Sequence, residues 1–173
     1  KGANENIVFG LIGCGGMGWN DVNTIASGNA NIVVLCDVDT KNTANAAKKF
    51  PGARVYQDFR EMFKKEANEI DAVHVSTPDH MHAPIAMTAL NLGKHVYCQK
   101  PLAHEIYEVR QLAKVATAKK LVTQMGIQIH SHIAYRMATQ MVQDGVIGKV
   151  SEVHSWSNKT WGGPKEGRPA NPQ

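Results

Sequence analysis

Aromatic residues, cysteines and long apolar runs are all scarce in this sequence. Aromatic residues make up 6% of the 173 residues, and no apolar run is long enough to span a bilayer, so a membrane-spanning protein is not expected. The three cysteines, Cys14, Cys36 and Cys98, lack the spacing of a metal-ligating pair. A disulfide framework is therefore not expected, and we predict that each cysteine is a small buried hydrophobe.

Positive charge is not concentrated in any one part of the chain either. The formal net charge is +4, and the lysine pairs at 48–49, 64–65 and 119–120 each fall near the end of a predicted helix. Cations at that position complement the helix dipole. The charge pattern therefore does not favour a nucleic-acid partner, and a hydrophobic content of 43% is that of an ordinary globular domain.

A regular alternation of predicted strands and helices fills most of the chain. Continuous apolar runs are typical of parallel strands that are covered on both faces. The predicted strands are residues 6–13, 31–38, 53–58, 71–77, 94–99 and 120–126. The predicted helices are residues 16–27, 41–50, 58–67, 83–92, 103–119 and 131–144. This order predicts an α/β fold with a doubly wound parallel sheet.

We predict that residues 1–148 form this domain and that residues 149–173 begin a second α/β domain. Residues 149–159 alternate in polarity like a half-buried strand, whereas the residues after them are rich in turn formers. In the predicted helix at 131–144, Ile133, Met137 and Met141 lie on one face, which we interpret as part of the core.

A glycine-rich turn joins the first predicted strand to the first helix. The segment GLIGCGGMG contains G-x-G-x-x-G at Gly13, Gly15 and Gly18, in the strand-turn-helix setting that gives the motif its mechanism. Gly13 permits the tight turn, Gly15 lets the backbone approach a pyrophosphate, and Gly18 lets the helix pack closely on the strand. The helix N-terminus then offers free N–H groups to phosphates. The segment therefore predicts a dinucleotide site.

The second predicted strand ends in the acidic residue Asp37, 19 residues beyond Gly18. A carboxylate at this position can accept hydrogen bonds from both ribose hydroxyls of an adenosine, and it repels the additional phosphate of NADP. Asp39 and Thr40 are better placed than Asp37 to cap the following helix. The sequence therefore favours NAD, with NADP as the other possible cofactor.

A polar loop follows the fourth predicted strand. Ser76, Thr77 and Pro78 fall at the carboxyl edge of the sheet, where ligands of open α/β sheets bind. His80 and His82 invite comparison with a metal pair, but two histidines without a third ligand nearby make a poor zinc site. Hydrogen bonding or packing at the helix start is the favoured interpretation for both, and no metal site is predicted.

A Lys-Pro step ends the fifth predicted strand. Proline restricts the residue before it to extended conformations, so Lys100 is not the first turn of the next helix. An ammonium so placed could hydrogen-bond a ligand oxygen, stabilise developing negative charge and relay a proton. A solvated lysine at a strand end is the alternative interpretation.

These motifs occur together, and they resemble the Gfo/Idh/MocA family of nicotinamide-dependent oxidoreductases over most of the chain. The resemblance is carried by GLIGCGGMG, by Asp37 at a strand end, and by TPDHMHAPIA, GKHVYCQKPLA and GIQIH. It implies an NAD-binding Rossmann fold, with Lys100 as the catalytic residue near the substrate hydroxyl. Family members usually have Glu-Lys-Pro where this chain has Gln99, so the lysine lacks its usual carboxylate neighbour. The expected cofactor contacts are Gly13, Cys14, Gly15, Gly16, Met17, Gly18, Asp37, Ser76, Thr77, Pro78, His80, His82, Gln99, Lys100 and Gln128.

The resemblance also implies a second domain that supplies much of the substrate pocket. We therefore expect this chain to be the nucleotide-binding part of an oxidoreductase that acts on the CH–OH group of a sugar, polyol or derivative. An NAD-dependent glycosidase that uses transient oxidation and a non-catalytic dinucleotide-binding module are the alternatives. We further expect a cytoplasmic homo-oligomer. Because the chain starts with Lys rather than Met, export after removal of a leader stays open.

Overall fold

The computed structural model describes residues 6–28 and 30–156, which divide between two compact units, Lys1–Gln128 and Ile129–Gln173. The first unit contains a six-stranded sheet in which every neighbouring pair of strands is parallel. The strands are β1 (Ile7–Ile12), β2 (Ala30–Cys36), β3 (Arg54–Tyr56), β4 (Ala72–Val75), β5 (His95–Gln99) and β6 (Thr123–Gly126). All six predicted strands of the sheet are confirmed.

The strand order places one topological switch point in the middle of the sheet. The order is β3-β2-β1-β4-β5-β6, so the chain winds outward in one direction from β1 and in the other from β4. Ligands of open α/β sheets bind outside the carboxyl ends of the strands where the winding direction changes. The doubly wound prediction is confirmed, and it places the expected site after β1 and β4.

Helices connect the strands, and several begin at an acidic residue. They are α1 (Gly16–Ala26), α2 (Thr40–Lys49), α3 (Phe59–Glu66), α4 (His82–Asn91), α5 (Ile106–Ala118), α6 (Gln128–Ser131) and α7 (Ile133–Gln143). Asp39 caps α2 by accepting a hydrogen bond from the Lys41 N–H at 2.8 Å. Asp58 caps α3 in the same way through the Arg60 N–H, also at 2.8 Å. Each carboxylate satisfies one of the free N–H groups of a first turn.

The helices of the first unit cover both faces of the sheet. Successive strand residues point to opposite faces, so Leu11 packs with the α1 and α2 side while Ile12 packs with the α3, α4 and α5 side. His74 is fully buried on β4 and stacks on Tyr97 of β5, with ring centroids 5.1 Å apart. The predicted burial of the cysteines is confirmed, because all three are free and at most 2% exposed.

The second unit corrects an expectation about the core. Ile133, Met137 and Met141 on α7 are 65%, 58% and 49% exposed, so the predicted core stripe is wrong for the described chain. Helical spacing identifies an apolar face, but it does not say whether anything covers that face. Among residues 6–28 and 30–156, no helix combines the length and apolar character that crossing a membrane requires.

The predicted strand at 149–159 is also corrected over its described part. Residues 149–156 are exposed and form no strand. Alternating polarity alone does not make a strand, because its N–H and C=O groups must pair with a neighbour, and the described residues supply none here. The remainder of the predicted second-domain segment, residues 157–173, lies outside the described residues.

Candidate functional site

The turn between β1 and α1 requires glycine at two positions for steric reasons. Gly13 has a φ of +91°, and a Cβ atom there would lie 2.5 Å from the carbonyl carbon and oxygen of Ser76. A Cβ atom on Gly18 would lie 2.2 Å from the Gly13 carbonyl oxygen. The two glycines therefore allow α1 to approach β1 and the loop after β4 more closely than any larger residue would.

A cleft of about 610 Å³ opens at the switch point of the sheet. The walls come from the glycine turn, the end of β2, the start of α2 and the segment that follows β4. The lining residues are Ile12, Gly13, Gly15, Gly16, Cys36, Asp37, Val38, Asp39, Asn42, Gln57, Phe59, Ser76, Thr77, Pro78, His80, Met81 and Ile85. The structure therefore brings three separately predicted segments together around one cavity.

The Asp37 carboxylate is held firmly on one wall of this cleft. Its Oδ2 accepts hydrogen bonds from the Cys14 N–H at 2.8 Å and from the Asn42 amide at 3.3 Å. Its Oδ1 accepts from the Asp39 N–H at 2.9 Å. Burial, together with the charge of Asp37, raises the pKa of the Cys14 thiol to about 12, so this cysteine is a neutral packing residue.

The opposite wall is the segment that follows β4. Ser76, Thr77, Pro78 and His80 all line the cleft, as the sequence predicts. The Thr77 hydroxyl oxygen is buried and has no hydrogen-bond partner among the described residues. A buried polar group without a partner costs free energy, so this hydroxyl is suited to a hydrogen bond with a bound ligand.

His82 lies beneath this segment rather than in the cleft lining. Its ring is 1% exposed, with Nδ1 at 2.6 Å from the Pro101 carbonyl oxygen and Nε2 at 2.8 Å from the Thr77 carbonyl oxygen. Both partners are carbonyl acceptors, so a ring with one N–H donates to one of them at a time. Hydrogen bonding at the start of α4 is the interpretation that the sequence favoured over a metal pair. The ring links the end of β4 to the end of β5.

A second buried polar group lies beside the cleft, at the ends of β4 and β5. The Asp21 Oδ2 of α1 is 2.5 Å from the Gln99 amide nitrogen, 3.1 Å from His74 Nε2 and 3.3 Å from the Ser76 hydroxyl. Burial lowers the pKa of His74, and the nearby Asp21 opposes that shift. Gly126 makes room for Gln99, because a Cβ atom there would lie 2.9 Å from its amide group.

Lys100 follows β5 at the same edge of the sheet, one strand beyond the switch point. Its side chain is exposed and does not line the described cleft. Its backbone N–H donates to the Gln99 amide oxygen at 3.2 Å, and its peptide bond to Pro101 is cis. Gln128 and Met17 also lie outside the lining, where the Gln128 amide donates to the Met17 sulfur at 3.6 Å.

The sequence missed several lining residues and the partner of Gln99. Val38, Asn42 and Gln57 line the cleft, and Asp21 holds the Gln99 amide. Val38 and Gln57 each lie just beyond a strand that neighbours β1 or β2, so the rule that the carboxyl ends of parallel strands meet at one edge could have found them. Asn42 and Asp21 lie inside helices, and no local pattern distinguishes them.

Comparison with known proteins agrees with this geometry. The Gfo/Idh/MocA family model, described as an oxidoreductase family with an NAD-binding Rossmann fold, matches residues 7–127. The chain belongs to this family. The Gfo/Idh/MocA domain is thus an NAD-binding Rossmann domain, as the resemblance implied.

Several relatives are polyol or sugar dehydrogenases by name. The inositol 2-dehydrogenase of Rubrobacter xylanophilus is 29% identical over 160 residues, which are 90% of this chain and 45% of that enzyme. The levoglucosan dehydrogenase of Pseudarthrobacter phenanthrenivorans is 27% identical over 128 residues, 74% of this chain and 32% of that enzyme. The chain therefore spans less than half the length of these relatives.

A solved structure gives the same result for the fold. The scyllo-inositol dehydrogenase of Lactobacillus casei, crystallised with bound NAD(H) and scyllo-inositol, superimposes with a TM-score of 0.75 at 29% identity. The match covers 83% of this chain and 42% of the Lactobacillus chain. The six-stranded parallel sheet of this Gfo/Idh/MocA domain is thus shared with a dehydrogenase that binds NAD(H).

Proposed function

We propose that the protein to which this chain belongs is an NAD-dependent dehydrogenase that oxidises the CH–OH group of a sugar or polyol. The observation that carries the proposal is the cleft at the switch point, which is bounded by the glycine turn, Asp37 and the Thr77 segment. The names of the relatives support the substrate class. None of these names describes a glycosidase or a non-catalytic module, so the two alternatives are not favoured.

The residues of the cleft fit a dinucleotide. The turn at Gly13, Gly15 and Gly16 and the N-terminus of α1 would hold the pyrophosphate, because free N–H groups and the helix dipole attract anions. Asp37 would accept hydrogen bonds from ribose hydroxyls, and the unpartnered Thr77 hydroxyl supplies one further polar contact. The negative charge of Asp37 is the basis for proposing NAD rather than NADP.

Lys100 is the proposed catalytic residue, because it follows the strand next to the switch point and its side chain is free to meet a substrate. The nicotinamide of bound NAD supplies the hydride acceptor. Oxidation of a carbinol would release its hydroxyl proton as the carbonyl forms. The ammonium of Lys100 would hydrogen-bond the oxygen and stabilise its developing charge, and it would take up the hydroxyl proton as it passes one of its own protons to water.

The wider organisation of the protein is part of the same proposal. We infer that the NAD-binding domain extends to residue 148 and that residues 149–173 begin the substrate domain. We also infer a cytoplasmic homo-oligomer that does not bind nucleic acid. The three free cysteines suit a reducing compartment, and the net charge of +4 is spread along the chain. Light scattering of the full-length protein, with and without DNA, would test the assembly.

The test of the proposed function is substitution of Lys100 in the full-length protein. Lys100→Ala is expected to lower kcat for polyol oxidation by about 10²–10⁴, the range for acid-base groups, while NAD affinity changes little. Lys94→Ala is the matched control, because Lys94 precedes the opposite end of the same strand. Unchanged turnover in Lys100→Ala would reduce Lys100 to a solvated residue at a strand end.

A further inference from the structure

The Asp21 carboxylate connects the cleft to the proposed catalytic lysine. One of its oxygens, Oδ2, accepts from the Ser76 hydroxyl, which belongs to a lining residue, and from the buried ring of His74. The same oxygen accepts from the Gln99 amide nitrogen at 2.5 Å. The Asp21 side chain is 16% exposed and that of His74 is 0% exposed, so these bonds are largely shielded from water.

The orientation of the Gln99 amide follows from its two neighbours. The Lys100 backbone N–H is a donor, so the group facing it at 3.2 Å must be the amide oxygen. The Asp21 carboxylate is an acceptor, so the group facing it must be the amide nitrogen. The amide nitrogen therefore donates to Asp21, and the amide oxygen accepts from the Lys100 N–H. Because the two ends of the amide turn together, the bond to Asp21 fixes the position of the oxygen as well.

A glutamate at position 99 would not be compatible with Asp21. Its second oxygen would face the Asp21 carboxylate at the 2.5 Å now occupied by a hydrogen bond, and two carboxylates this close share one proton. The site therefore accommodates one carboxylate and one amide. In this chain the carboxylate is on α1, and the amide is on the residue that precedes the lysine.

We propose that Asp21 is a positioning residue that orients Gln99 and, through it, the backbone at Lys100. The proposal rests on the proposed function, since it assigns Asp21 a role in presenting the catalytic lysine. It further states that the carboxylate and the amide can be exchanged between positions 21 and 99. A carboxylate oxygen at position 99 would accept the Lys100 N–H equally well. An amide nitrogen at position 21 would donate to that carboxylate, while the Ser76 hydroxyl turns to accept and His74 adopts the tautomer in which Nε2 accepts. Gln99 then stands where family members usually have a glutamate, and the Asp21 carboxylate keeps a negative charge beside it.

The test is an exchange of the two groups in the full-length protein. Gln99→Glu is expected to lower the melting temperature by about 4–8 °C at about pH 8, since like charges replace a charged hydrogen bond. This loss should shrink as the pH falls, because the two carboxylates can then share one proton. His74 and Tyr97, the other titratable groups beside Asp21, are common to all the variants. The double variant Asp21→Asn/Gln99→Glu should recover most of the melting temperature across the same pH range.

Activity separates positioning from a purely structural role. Gln99→Glu should lower kcat for polyol oxidation by about 10²-fold, the effect of a small misplacement of a reacting group, while KM for NAD changes much less. The double variant should restore kcat to within about 10-fold of the wild type. A remaining tenfold deficit corresponds to about 1.4 kcal/mol of activation free energy, about the energy of one altered contact. Gln99→Glu/Glu61→Gln is the control. It has the same net charge as Asp21→Asn/Gln99→Glu, but the carboxylate that it removes is an exposed one on α3.

Each result decides the matter. Rescue by Asp21→Asn but not by Glu61→Gln, in both melting temperature and kcat, supports the proposal. A double variant no better than Gln99→Glu alone overturns the pairing, and rescue of the melting temperature without kcat overturns the positioning role. If the wild-type protein oxidises no polyol, the proposed function fails, whereas the melting temperatures still decide whether Asp21 and Gln99 act as a pair.

Discussion

Replacement of Asp37 by alanine should change both the choice of cofactor and the stability of the domain. In NAD binding the variant loses hydrogen bonds from ribose hydroxyls to a charged group, about 1.5–3 kcal/mol, which corresponds to a rise in Kd of about 10- to 150-fold. The Kd for NADP should rise much less, because the substitution also removes a charge that repels the additional phosphate. The ratio of the two affinities should therefore narrow.

The structure adds a second effect of the same substitution. Asp37 accepts the Cys14 N–H at 2.8 Å, and Cys14 is only 2% exposed. Without this acceptor the N–H loses its partner in a buried position, so the free energy of unfolding should fall by about 1–3 kcal/mol. Urea denaturation without cofactor would measure this term separately from the binding term.

Calorimetric titration of NAD and NADP into both proteins, at a temperature well below either melting transition, measures the predicted change in selectivity. Asp39→Ala is the matched control, because this residue lines the same cleft two positions further on but uses its carboxylate to cap α2. We expect this control to preserve the preference for NAD. An Asp37→Ala variant with the NAD affinity of the wild type would refute the assignment of Asp37 to the ribose.

Three further predictions follow from contacts in the structure. Gly18→Ala places a Cβ atom 2.2 Å from a carbonyl oxygen. It should weaken NAD binding and lower the free energy of unfolding, measured by urea denaturation, by at least about 1–3 kcal/mol. Gly52→Ala, where a Cβ atom would meet nothing within 4 Å, should change neither quantity. Arg54 lowers the pKa of the buried Glu66. Glu66→Gln should therefore lower the free energy of unfolding at about pH 7, by only about 1–2 kcal/mol because Arg54 is half exposed. This difference between variant and wild type should decline once the pH falls below 4.5, the ordinary pKa of the carboxyl. Burial lowers the pKa of His74 below the ordinary 6.5. The neutral ring therefore contributes stability that is complete above pH 6.5 and is lost as the pH falls below it. An NMR titration of the ring that gives a pKa above 6.5 would contradict this.

Much of the fold could be predicted because the relevant signals are local. The strands β1, β2, β4 and β5 lie in short, largely apolar runs, and the glycine turn and Asp37 carry their meaning in residue type and position along a strand. The rule that parallel strands end at one edge then brings Gly13, Asp37 and Thr77 together without knowledge of the tertiary structure. All three do line one cleft.

The sequence could not predict features that depend on contacts between distant segments. Asp21 and Gln99 are 78 residues apart in the sequence, and only the tertiary fold brings the α1 side chain to the end of β5. The absence of glutamate before Lys100 indicated a lost charge partner, but the carboxylate of Asp21 lies next to the same amide. Met137 shows a different limit of the sequence. Its position on the apolar face of a helix is predicted correctly, but its burial is not, because burial depends on what covers that face.

Binding of NAD in the cleft at the switch point of the sheet is the basis of the proposed function. An amide NMR titration of the 18.9 kDa chain with NAD would measure this binding residue by residue. We expect saturable shifts at Gly13, Gly15, Gly16 and Thr77, and little change at Leu112 and Ala116 on the buried side of α5. Absence of any saturable shift, or shifts confined to α5, would contradict it.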